Sequence, residues 1–285
     1  MSSLTFRFDP PERPKKKKFD KRLVFDLLTN YLQPTAKERP HDVAEEIIHH
    51  MRKAGDAEHD KLAELLVQIA TQIPYNHVSQ LKLVRIAEIL GSPKENFGWI
   101  FGGTKFVKRT RRLSKLRALV QDEIPFDTFK HAEYFINFHS FCALLSAGSL
   151  WDTNPSFAIR CLRAAFEDRA RHDDGGSVQG ARRRPYGFVM AAAQWIFWYG
   201  QALYKQVTWS DFGNDPITAS MWQCGPGYKA SGLARGVLDK SRWEFWRTGF
   251  QTAARESTYP EECRILASKA ACIMEQLERD TVFSR

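Results

Sequence analysis

The feature that most constrains this chain is the period of its apolar residues. From about Asp20 onward they recur every three to four positions, and no stretch sustains the two-residue alternation of a half-buried strand. VFDLLTNYL, at 24–32, sets Val24, Leu27, Leu28, Tyr31 and Leu32 on one stripe ahead of Pro34. HDVAEEIIHHMRKAG places Val43, Ile47 and Met51 at fourfold spacing and closes on Gly55. HDKLAELLVQIATQIP repeats the theme with Leu62, Leu65, Leu66 and Ile69, and HVSQLKLVRIAEILG ends at Gly91. FDTFKHAEYFINFHSFCALLSAG predicts a long helix with His131, Phe135, Phe138, His139, Cys142 and Leu145 in one sector. Helices are also expected over SFAIRCLRAAFEDRA, over YGFVMAAAQWIFWYGQALY after the glycine-rich loop HDDGGSVQGARRR, and near the C-terminus. There Cys263, Leu266, Ala267, Ala270, Ile273, Met274 and Leu277 form a stripe, with Cys272 opposite. The expectation is an all-α fold, a single large multi-helix domain of about nine helices. It spans 20–285 behind a basic disordered arm, 1–19, and residues 91–112 lose the period and suggest a subdomain boundary.

A chain of 285 residues, 43% hydrophobic, is ample for a sizeable core. MSSLTFRFDPPERPKKKK is polar, basic and broken by proline, unlike a secretory leader. The five cysteines are scattered, with no CxxC, which argues against a disulfide framework and against a sequence-local zinc site. Together these predict a protein inside the cell, cytoplasmic or nuclear. The apolar run 186–204 has the length of a membrane span, but its alanines, glycines and glutamines make it only mildly apolar. A central helix surrounded by its neighbours is the expectation, not a span.

The formal charge of +9 is local. One basic cluster lies in the arm, around Lys15, Lys16, Lys17 and Lys18, and fits a nuclear-import signal or a phosphate contact. The other, KFVKRTRRLSKLR at 105–117, contains Lys108, Arg109, Arg111 and Arg112 and could neutralise phosphates without reading sequence. No helix-turn-helix, zinc-finger or RNA-recognition signature accompanies either one.

Motifs for cofactors fail on context. GWIFGGTK at 98–105 has phosphate-loop spacing, but its lysine and hydroxyl are transposed. GPGYKA at 225–230 fits the dinucleotide fingerprint in letters, yet no βαβ unit surrounds it, so a loop before the next helix is expected. His139 with Cys142 could seed a metal site, but two ligands do not make one, and hydrogen-bonded core histidines are expected. No metal and no cofactor are assigned.

KSRWEFWRTGF, at 240–250, sets Trp243, Trp246 and Phe250 on one face, with Arg242 and Arg247 flanking it. Ser241 and Glu244 have capping-box spacing, which would start the helix there. Trp195 and Trp198 repeat the spacing in the most apolar helix. The four tryptophans are candidates for one aromatic core or pocket in which the two pairs stack edge to face.

HAEYFINFHSFCALLSAG, AAQWIFWYGQALY, SRWEFWRTGF and CRILASKAACIME occur in an order that resembles a fungal family of helical proteins catalogued only as a domain of unknown function. The resemblance covers about residues 60–280 and is most particular at Arg242-Trp243 with Trp246, and at Asn137-Phe138 after Glu133. It implies an all-α fold and a filamentous-fungal source, with some members encoded near secondary-metabolite genes, and it supplies no catalytic residues. Three roles follow from the sequence. The first is a non-enzymatic interaction protein, regulatory or scaffolding, with a protein partner. The second is an accessory enzyme or ligand carrier of secondary metabolism that binds a small molecule. The third is a basic protein associated non-specifically with nucleic acid.

Overall fold

The computed structural model describes residues 3–8, 20–51, 56–91, 132–148, 155–168, 178–208, 222–234 and 237–281. The chain packs as two compact units, Met1–Pro125 and Phe126–Arg285. Among the described residues there are ten helices and no strand, so the fold is all-α as the periodicity requires. From residue 92 on, the expected boundary region lies outside the described residues, as does His131.

The first unit contains α1 (Lys21–Tyr31), α2 (Pro40–His50), α3 (Asp56–Gln72) and α4 (Ser79–Gly91). Asp20 starts α1 by accepting from the backbone N–H of Arg22 and Leu23 at 3.0 and 3.2 Å, and Pro40 opens α2 where no N–H is needed. The predicted stripes are the core: Val24, Leu28, Leu32, Ile47, Leu65, Leu66 and Ile69 are fully buried. Phe25, off the predicted stripe of α1, is buried as well. The orphan carbonyls at two helix ends are satisfied by side chains of α4. Lys82 Nζ donates to the carbonyls of Tyr31 and Gln33 at 3.2 and 2.9 Å, while Gln80 Nε2 donates to those of Ala70 and Ile73 at 3.2 and 2.8 Å.

The second unit contains α5 (Ala132–Ala147), α6 (Ser156–Phe166), α7 (Val178–Thr208), α8 (Pro226–Ala230), α9 (Lys240–Arg255) and α10 (Glu261–Asp280). α7 is the axis, packed by α5, α6, α9 and α10. Gly187 faces Ala132 and Trp195 meets His139, so α5 runs parallel to it. The Cys263 thiol donates to the Tyr186 carbonyl at 3.8 Å and Gly200 faces Leu277, so α10 is parallel too. α9 returns antiparallel, with Trp243 against Tyr204 and Arg247 paired to Glu278 of α10 at 2.8 Å. Surrounded in this way, Val189, Ala191, Ala192, Ala193 and Leu203 are fully buried. Among the described residues no helix is long and apolar enough to cross a membrane. α5 is buried almost all round, including Ser140 and Ala143, so its contact face is wider than the predicted sector.

Two local expectations change. α7 begins at Val178 and takes in VQGARRR, a segment expected in the loop before the apolar run, together with Pro185, although glycine and proline are the poorest helix formers. The N-cap of α9 is Asp239, whose carboxylate accepts from Arg242 N at 2.8 Å, and not Ser241, which lies inside the first turn.

Close packing at Gly249 and Gly187 separates two kinds of helical glycine. A Cβ at Gly249 would lie 2.6 Å from Cδ1 of Phe166, a buried ring wedged edge-on against Phe250, whereas one at Gly187 would meet only Ala132 Cβ at 3.6 Å. Gly249→Ala is therefore expected to destabilise the protein by about 1–3 kcal/mol through overpacking. Gly187→Ala should be neutral or stabilising by up to about 1 kcal/mol, because it raises helix propensity at ordinary contact distance. Urea melts of the two variants check the opposite signs.

Candidate functional site

The WEFW helix carries the centre of the second unit. Arg242 is fully buried together with Glu167, the residue after α6, and the two side chains form an ion pair at 2.7 Å. A guanidinium has five N–H donors, and each has an acceptor here. Nε and Nη2 donate to the two Glu167 oxygens at 2.7 and 3.1 Å. Nη1 donates to the carbonyls of Trp222, at 2.6 Å, and Val237, and Nη2 also reaches the Gln223 carbonyl at 3.3 Å. The carboxylate is equally full. Trp246 Nε1 donates to Oε1 and Gly225 N to Oε2, both at 2.6 Å, which completes the four positions a carboxylate offers. The guanidinium carbon lies 5.1 Å from the Trp246 ring centroid, within cation–π range.

GPGYKA has its explanation beside this pair. It forms the short helix α8, and both glycines pass against the backbone at Glu167. A Cβ at Gly225 would lie 2.5 Å from Glu167 Cβ, and one at Gly227 would lie 2.7 Å from the Glu167 carbonyl, which instead accepts from Gly227 N at 2.6 Å. The fingerprint-like spacing serves a close approach of two backbones.

The four candidate tryptophans do not form one cluster. Trp243 and Trp246 are fully buried, as their stripe predicts. The ring neighbour of Trp243 is Tyr204, at 4.9 Å between centroids. Trp195 is buried elsewhere on α7, where it meets His139, Phe157 and Tyr199. Trp198 is 42% exposed, so the expected stacking of two tryptophan pairs is not realised. The reason is angular: positions three apart diverge by about 60°, enough to carry the second ring from the packed side to the helix's open side.

Trp195 Nε1 donates to His139 Nδ1 at 3.0 Å, so His139 is a hydrogen-bonded core histidine. Burial, with a smaller push from Arg160, lowers its pKa to about 3, and the ring is neutral. Cys142 and Cys161 are buried thiols whose pKa values burial raises. Among the described residues no group of three or more His, Cys, Asp or Glu could hold a metal ion. Lys15, Lys16, Lys17, Lys18, Lys108, Arg109, Arg111 and Arg112 lie outside the described residues.

A second constellation, absent from the sequence reading, lies in the first unit. Residues 3–8, SLTFRF, belong to no helix or strand, and the N–H and C=O of one residue are gripped together at each end, as an extended chain presents them. Gln33 grips Leu4 with both amide atoms: Leu4 N donates to Oε1 and Nε2 donates to the Leu4 carbonyl, each at 3.0 Å. Gln72 grips Arg7 in the same way at 2.6 and 3.1 Å, with Gln68 Nε2 reaching the same carbonyl at 3.4 Å. In an extended chain the N–H and C=O of one residue point to one edge and those of the next residue to the other. Leu4 and Arg7 have opposite parity, so the segment is clamped on one edge by Gln33, two residues past α1, and on the other by Gln72 at the end of α3. Phe8 closes the far end at 4.9 Å from Phe25, with Arg22 over both rings. The sequence signal is the alternation Leu4, Phe6, Phe8, half-buried beside exposed Ser3, Thr5 and Arg7.

Two outcomes test the second unit. Glu167→Gln leaves a buried guanidinium without its counter-charge and should cost about 3–5 kcal/mol, while Glu167→Gln combined with Arg242→Met should recover part of that loss. Denaturant melts read both variants, and an additive double variant would contradict the pairing. His139 gives a pH effect with a definite sign. Its folded pKa lies below the ordinary 6.5, so the unfolded chain binds more protons between the two values. The stability it contributes is complete above pH 6.5 and is lost as pH falls toward 3. His139→Gln, which keeps an acceptor for the indole, should flatten the acid limb of stability against pH. An unchanged slope would contradict the neutral assignment.

No curated protein and no solved structure matches the chain. The sequence model of one family, described as protein of unknown function DUF3632, matches residues 41–250. That span begins in α2, ends in α9, and includes both Glu167 and Arg242. The all-helical architecture and the match over most of its length show that the chain belongs to the DUF3632 family.

Proposed function

We propose that this protein is a non-enzymatic interaction protein, regulatory or scaffolding in role, whose first unit holds extended peptide segments. The observation that carries the reading is the pair of glutamine clamps. Primary amides imitate a peptide group, offering a donor and an acceptor side by side, so Gln33 and Gln72 act as short pieces of β-ladder at the ends of two helices. A surface that carries such a ladder is suited to binding main chain. The second unit supports the reading as a rigid body: its most polar centre, Arg242 with Glu167, has every donor and acceptor engaged by protein. We place this role inside the cell, cytoplasmic or nuclear, in keeping with cysteines that stand free. The fungal source and the association with secondary metabolism belong to the same proposal and rest on the family resemblance.

Purification of the tagged full-length chain from native extract tests the role. The expected result is a protein partner near stoichiometric amount that survives nuclease treatment. Absence of any stoichiometric partner, or loss of the partner with nuclease, would overturn the reading.

A further inference from the structure

We infer that SLTFRF is an exchangeable occupant of its groove. The groove is then a docking site for an extended segment of a partner protein with large apolar side chains at three alternate positions, the third aromatic. The inference rests on the interaction reading above and adds to it the chemistry of the partner.

Three observations carry it. The clamps read mainly main chain: Gln33 and Gln72 bond the N–H and C=O of Leu4 and Arg7, with one side-chain contact, the Ser3 hydroxyl donating to Gln33 Oε1 at 2.9 Å. Any extended segment presents the same groups at the same spacing. The segment is lightly rooted, since Leu4, Phe6 and Phe8 are each half-buried and Ser3, Thr5 and Arg7 face outward. Selectivity enters at the third apolar position. There the Phe8 ring packs beside Phe25, with the Arg22 guanidinium over both rings at 5.1 and 5.7 Å and bonded to Asp26 at 3.0 Å. An aliphatic side chain at this position would keep the packing and forfeit the cation–π contact. The segment belongs to the same chain as the groove, so it competes with any partner as an intramolecular ligand. The chain's own N-terminal segment therefore masks the groove until a partner with a better-fitting segment displaces it.

The test uses the full-length chain and a fluorescein-labelled SLTFRF peptide read by anisotropy. Leu4→Gly, Phe6→Gly and Phe8→Gly together release the chain's own segment. The released variant should bind the peptide at least about tenfold more tightly than the wild type, in which the tethered copy competes. Adding Gln33→Ala and Gln72→Ala should weaken binding about tenfold or more. A peptide of the same composition with its three apolar residues adjacent should not bind, and leucine at the third apolar position should weaken binding several-fold. The proposal is overturned if the released variant keeps wild-type circular dichroism yet fails to bind, or if it binds the rearranged peptide equally well. It is likewise overturned if light scattering shows the wild type forming dimers with rising concentration that the released variant does not form, which would assign the groove to a second copy. The two readings fail separately. A stoichiometric partner from extract that is retained by Gln33→Ala/Gln72→Ala preserves the interaction role and removes the groove. Peptide binding as expected with no partner from extract preserves the groove and removes the role.

Discussion

The second unit depends on one buried ion pair. Taking a guanidinium and a carboxylate out of water is costly, and the cost is offset only when geometry is good and every remaining donor and acceptor is met. Arg242 and Glu167 meet that condition, and doing so fixes the surrounding chain. The end of α6, the loop at 222–225, the turn at Val237 and the first two turns of α9 all supply groups to one site. None of them can shift without leaving a charge or a carbonyl unpaired in the core. The glycines at 225 and 227 and the indole N–H of Trp246 are consequences of the same demand, the glycines for room and the indole for a fourth donor.

A related principle operates in the first unit with neutral groups. Helix ends and extended segments both present main-chain atoms that need partners. Lys82 and Gln80 supply donors to the carbonyl ends of α1 and α3, and Gln33 and Gln72 supply both halves of a peptide group to the N-terminal segment. Side chains thus replace backbone partners in a chain whose described residues form no sheet. The difference between the units is depth. Arg242 and Glu167 are sealed in the core, whereas the glutamine clamps sit at a part-open surface where exchange is possible.

Periodicity made the fold legible because helices bury one stripe, and the stripes of α1 to α3, α9 and α10 are buried where the sequence places them, apart from half-buried Leu27, Ile273 and Leu277. Trp243, Trp246 and Phe250 sit in the core for that reason. Arg242 read as a flank to the rings and does lie over Trp246, but its depth and its partner were not legible. Glu167 is one of many acids, and a contact across 75 residues leaves no local trace. Trp198 shows the limit of spacing, since a stripe has an edge and its width depends on which neighbours arrive. The groove is not legible in the sequence, because three alternating apolar residues are too few to declare an extended segment and amide clamps carry no motif.

Native-state hydrogen exchange on the full chain tests the contrast between a sealed core and an exchangeable segment in one measurement. The amides of Gly225 and Gly227, bonded to Glu167, should exchange only through the largest opening of the second unit. The amides of Leu4 and Arg7 should be protected relative to a free peptide, yet exchange through a smaller local opening of the first unit. Leu4 and Arg7 exchanging at the free-peptide rate, or Gly225 and Gly227 opening as readily as they do, would contradict this account.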